Sequence, residues 1–102
     1  MSTKTATTAR FNTIMQAIAT RLGATHISPT TLHEGRGPNH GDLLMADITT
    51  QNRTIRLHAW ANTRHTLTKL FADPGDPRHA IQLPTIGQPA QRVASRAADL
   101  LQ

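Results

Sequence analysis

Cysteine is absent from the 102-residue chain, so neither a disulfide nor a thiolate metal site is open to it. Tyrosine is absent too, valine occurs only as Val93, and the aromatic side chains are two phenylalanines and one tryptophan. A core must therefore come from Leu, Ile, Met and Phe, which suffice for one small core but not two. No apolar run approaches the roughly 20 residues that span a bilayer. The first eight residues lack the apolar centre of a secretory signal. These absences predict a cytoplasmic protein with no membrane association. Acidic residues are missing before Glu34, and in the whole chain 11 Lys and Arg face 6 Asp and Glu, a formal net charge of +5. That balance favours a polyanionic partner: DNA, RNA or an acidic protein surface. Arginine enrichment alone also fits a basic protein that binds none of these.

The pattern predicts an α+β domain over residues 9–102, preceded by a polar, Thr-rich disordered arm over residues 1–8. Thr7 or Thr8 is placed to cap a helix in which Phe11, Ile14, Met15, Ile18 and Leu22 form one stripe. Gly23 suits the end of that helix. Around Thr30–Glu34 a short edge strand is expected, with Pro29 just before it. Gly35–Gly41 reads as a loop from which Arg36 and His40 project, without the Gly-Lys-Ser/Thr ending of a P-loop.

The clearest stretch runs from Asp42 to Asn62. Two alternating arms flank Gln51-Asn52, as in a β-hairpin with a two-residue turn. That register sets Ile48 opposite Ile55, Ala46 opposite Leu57 and Leu44 opposite Ala59 on one apolar face. The other face sets Asp47 opposite Arg56, Met45 opposite His58 and Leu43 opposite Trp60. Beyond it, Leu67, Leu70 and Phe71 suggest a second helix, capped by Asn62 or Thr63, with Arg64, His65 and Lys69 outside and a stop at Asp73–Pro77. A short strand at Ala80–Leu83 and a terminal helix from Pro89 follow, the helix burying Val93, Ala97, Leu100 and Leu101. The expected order is α-β-β-β-α-(β)-α: a three-stranded antiparallel sheet, with room for a short fourth strand, and helices on one face.

Chemistry is sparse. Of the six histidines, His26, His33 and His40 recur every seven residues, as do His58 and His65, a spacing that assembles no metal site on strands or across a glycine loop. Asp42 and Asp47 fall on opposite faces of one strand, and no nucleophile motif occurs. No catalytic residue, metal or cofactor is expected. What remains is the mixed face of the hairpin. An exposed Trp60 would stack a base while arginine holds phosphate. A buried Trp60 would instead join Leu43 and Met45 in a second small core under the terminal helix. A third reading makes the face a homodimer or partner-protein interface, where Trp, Met and Arg are enriched.

The segment from Phe11 to about Ala72 resembles a double-stranded-RNA-binding domain. Gly37-Pro38-Asn39-His40 matches that family's Gly-Pro-x-His loop, the alternation Leu44, Ala46, Ile48 matches its second strand, and Thr63-Arg64-His65-Thr66-Leu67-Thr68 stands where its second helix opens with lysines. The resemblance implies recognition of duplex phosphates, with His40 and Arg64 as contacts. The usual paired lysines and the glycines before that helix are missing, and the last thirty residues lie outside the pattern. Two expectations follow. One is a small nucleic-acid-binding protein using Arg36, His40, Arg53, Arg56, His58, Trp60, Arg64 and Lys69. The other is a non-enzymatic protein-binding module, such as an inhibitor or accessory protein of phage or mobile-element origin, acting through the hairpin face or terminal helix.

Overall fold

Two alternating arms joined by a short turn fold into the central hairpin, and the rest of the chain is laid against it. The computed structural model describes residues 3–75, 78 and 80–102. In chain order the elements are α1 (Thr3–Leu22), β1 (His26–Ile27), β2 (Thr31–His33), β3 (Asp42–Thr49), β4 (Thr54–Ala61), β5 (Leu67–Asp73), β6 (Ile81–Pro84) and α2 (Ala90–Leu101). The strands form one six-stranded antiparallel sheet in which β1 and β2 share an edge of β3 and the remainder runs β3-β4-β5-β6. All six cross-strand pairs expected of the hairpin are present. The turn closes through Thr50 N–H to Arg53 C=O at 2.9 Å, leaving Gln51 and Asn52 at its tip.

One face of the sheet is the core. Leu44, Ala46 and Ile48 of β3, Ile55, Leu57 and Ala59 of β4, Leu70 and Ala72 of β5 and Leu83 of β6 are buried there together with Phe11, Ile14, Met15 and Ile18 of α1 and Val93, Ala94, Ala97 and Leu101 of α2. Both helices thus lie on the same side. Helix α1 starts at Thr3, ahead of the cap expected at Thr7 or Thr8, so residues 3–8 are helical rather than a free arm, and Thr7 is buried with its hydroxyl donating to the His65 carbonyl. Residues 1 and 2 of that arm lie outside the described residues. Gly23 ends the helix with φ 68, the left-handed turn that glycine enters without steric cost.

Three expectations are corrected. The edge segment is two strands rather than one: β1 and β2 both pair β3, and the break between them falls at residues 28–30, where Pro29 has no N–H to donate. The segment after the hairpin is strand β5, not a helix. A bulge between Trp60 and Ala61 pairs Ala61 with Leu67 and Trp60 with Lys69. Thr68 is the extra residue, and its hydroxyl donates to the Trp60 carbonyl at 3.1 Å. One inserted residue turns Leu67 and Leu70, three apart, toward the same face, which mimics helical spacing in a strand. In α2 the buried stripe is Val93, Ala94, Ala97, Ala98 and Leu101, whereas Leu100 is 55 % exposed. The expected strand at Ala80–Leu83 appears as β6 one residue later. Asp76 and Pro77 of the expected stop lie outside the described residues.

Candidate interaction surface

Because both helices cover one side of the sheet, no helix among the described residues lies over the other. That open face is built from alternate residues in three rows. His33, Leu43, Trp60, Lys69 and Pro84 form the first, Thr31, Met45, His58, Phe71 and Gln82 the second, and Asp47, Arg56 and Asp73 the third. The second-core alternative for Trp60 is therefore corrected, since the terminal helix that was to cover it packs its buried stripe into the core on the opposite side. Trp60, Leu43 and Met45 are half-buried, shielded only by their neighbours.

Three rings meet at the centre. His58 stacks on Phe71 with centroids 5.2 Å apart and planes at 25°, and Trp60 tilts against Phe71 at 4.8 Å and 54°, both favourable aromatic geometries. Burial in this cluster pushes the His58 imidazole below its ordinary value of 6.5, with Asp73 opposing that effect and Arg56 adding to it. His58 Nδ1 is buried without a hydrogen-bond partner among the described residues. The sign of the pH dependence follows. The unfolded chain takes up a proton as pH falls through 6.5, while the folded ring resists until a lower pH. His58 thus favours the folded state fully above pH 6.5 and progressively less as pH falls from 6.5 toward the lower value of the folded ring. His58→Phe is expected to flatten the acid limb of a plot of unfolding midpoint against pH; an unchanged limb would assign it to other groups.

At the third row Arg56 Nε donates to Asp47 Oδ1 at 3.2 Å, and Asp73 stands opposite Arg56 on the next strand. Among the described residues the three rows carry Arg56 and Lys69 against Asp47 and Asp73, with no net charge while their histidines are neutral.

The eight residues expected to contact nucleic acid separate into three groups. Arg56, His58, Trp60 and Lys69 share the open face. Arg36 and His40, in the β2–β3 loop, and Arg64, in the β4–β5 turn, are exposed at the Trp60 end of the sheet. Those two connections are tied at their base by Asp42, only 6 % exposed, whose Oδ1 accepts the Gly35 N–H at 3.2 Å and whose Oδ2 stands 3.5 Å from His65 Nδ1. Arg64 lies in a hairpin turn in which Asn62 Oδ1 accepts its N–H at 2.9 Å, not on the helix the family resemblance implies. Arg53 falls at the opposite end. Its guanidinium donates to the Leu101 carbonyl beside a cavity of about 460 Å³ lined by Arg21–Gly23, Thr50–Arg53, Leu101 and Gln102. There it satisfies a helix C-terminus, a structural role.

Helical spacing places Phe71 in a buried stripe and the prolines place Asp73 in a turn, whereas β5 sets both on the open face, opposite His58 and Arg56. The alternation Lys69, Phe71, Asp73 is the period-two signal that marks them. Among the described residues no three His, Asp or Glu side chains gather as a metal site requires, and no helix is long and apolar enough to cross a membrane. Compared with protein-family models, curated proteins and solved structures, the chain matches none of them.

Proposed function

We propose that the protein is a non-enzymatic binding domain whose working surface is the open face of the sheet, and that this face docks a protein partner. The row Met45–His58–Phe71, flanked by Trp60 and Leu43, carries the reading: an apolar and aromatic strip across three strands that neither helix covers. Contiguous apolar surface of this kind marks interaction sites, and Trp, Phe and Met are enriched at interface centres. The charges fit the same reading. Arg56 is already held by Asp47, and a face of balanced charge attracts a polyanion poorly, whatever the net charge of the chain.

Nucleic acid on the same face is the second reading, favoured by the gathering of Arg36, His40, Arg64 and Lys69 at the Trp60 end. A base stacked on Trp60 with its phosphates at those loops would bind in a steeply salt-dependent way.

The test uses Met45→Glu and Trp60→Ala, with wild type as control. Both variants are expected to keep the wild-type circular dichroism spectrum and to lose at least tenfold in affinity for the protein partner retained from the source extract. Labelled single-stranded and duplex oligonucleotides are expected to bind weakly at low salt and without quenching of Trp60 fluorescence. Strong quenching, abolished by added salt, would select nucleic acid instead. Unchanged retention of the protein partner by both variants would refute the open face as its dock.

A further inference from the structure

We infer that the open face docks a second copy of this chain, face to face, about a two-fold axis that lies along the Met45–His58–Phe71 row and runs perpendicular to the strands. The inference rests on the reading of this face as a protein-docking surface, and it follows from how the charged residues are distributed over the rows. Such an axis keeps each strand over its own counterpart and exchanges the first row with the third. Lys69 of one copy then meets Asp73 of the other, and Trp60 meets Arg56, a pairing of a guanidinium with an indole face. Leu43 meets Asp47, whose carboxylate Arg56 already binds at 3.2 Å. Met45, His58 and Phe71 pack on their own copies along the axis.

The other in-plane axis, along the strands, is disfavoured by the same residues. It would lay β3 over β5, bringing Asp47 over Asp73 and Lys69 over Leu43, a like-charge pair and an unpaired cation. The face is thus self-complementary in one orientation and self-repelling in the other. Its extent fits a weak dimer. Strands β3 to β5 of seven or eight residues, with β2 of three and β6 of four, at about 3.3 Å per residue and about 4.8 Å between strands, present about 480 Å² per copy, so two copies bury about 950 Å², close to the lower bound of a specific interface. Two twisted sheets stacked this way cross at about 30°.

A charge exchange between copies tests this. Wild type is expected to sediment as a dimer in the micromolar range. Lys69→Asp alone places Asp against Asp across the axis, and Asp73→Lys alone places Lys against Lys. Each is expected to be a folded monomer with at least tenfold weaker association. Mixed in equal amounts they restore both pairs and are expected to dimerise as wild type does, and so is the double variant Lys69→Asp/Asp73→Lys alone. Because Asp73 also accepts the Gly75 N–H at 2.9 Å, circular dichroism of each variant checks the fold, and the double variant stands as the independent arm should one single variant unfold. Wild type that stays monomeric at high concentration, or a mixture that fails to associate, overturns the second copy as partner. Loss of a different protein partner on Met45→Glu would still stand for the docking face itself, so the two failures are distinguishable.

Discussion

Gly41→Ala is expected to remove about 3 kcal/mol or more of stability, at the upper end of what overpacking costs. A Cβ at Gly41 would lie 1.9 Å from the Ala61 carbonyl oxygen and 3.0 Å from its carbon. Neither atom can move aside as a flexible side chain would. Ala61 ends β4, pairs with Asp42 on one side and Leu67 on the other, and is buried. The loop would have to lift off instead, releasing the Gly37 N–H from the Gly41 carbonyl (2.9 Å) and drawing Asp42 away from Gly35 and His65. In a domain this size each kcal/mol lowers the melting temperature by roughly 4–8 °C. Gly35→Ala is the control. Gly35 adopts φ 70 with open space around its Cβ position, so only the left-handed backbone is penalised, by about 1 kcal/mol. Equal melting of the two variants would mean that the Gly41 loop is not seated against β4.

The hairpin was legible because its signal is local and redundant. Two arms of strict alternation around a short polar turn admit one register, since a slip of one residue would turn Leu44, Ala46 and Ile48 outward. Helix α1 was legible for a similar reason, its stripe being continuous from Phe11 to Ile18. The strand β5 was not. A single bulged residue, Thr68, shifts the alternation so that Leu67 and Leu70 read as one helical face, and no propensity within the segment opposes that reading strongly. Missing β5 also hid the surface. Without Phe71 and Asp73 beside His58 and Arg56, the mixed face of the hairpin looked narrow enough for a terminal helix to cover. With them it is a broad platform, and the charge of the chain proves a poor guide to it. Arg10 donates to the carbonyls of Thr85 and Gln88, and Arg53 to that of Leu101, so part of the basic excess holds the fold together. Such roles depend on contacts between residues 48 to 78 positions apart, which composition does not register.

Leu57→Ala and Trp60→Ala, three residues apart on one strand, are expected to behave oppositely, and the contrast tests the assignment of the two faces. Leu57 is 0 % exposed, and its cross-strand neighbours are Ala46 and Ala72. Alanines are too small to close the space its side chain leaves, so the cavity persists and the loss is expected near 4 kcal/mol, within the 2–5 kcal/mol typical of such deletions. Trp60 is half-buried against Phe71 at 4.8 Å and bounded on its other side by no described helix. Truncating it forfeits part of one ring contact and part of its buried area, about 2 kcal/mol, and leaves no enclosed cavity. Urea unfolding of both variants decides between the faces. A steep loss for Leu57→Ala with a small one for Trp60→Ala places the tryptophan at a working surface, where its size serves a partner rather than the core. Comparable losses would mean that the tryptophan is held as firmly as the leucine, and the open face would then be a second structural layer with nothing left to offer a partner.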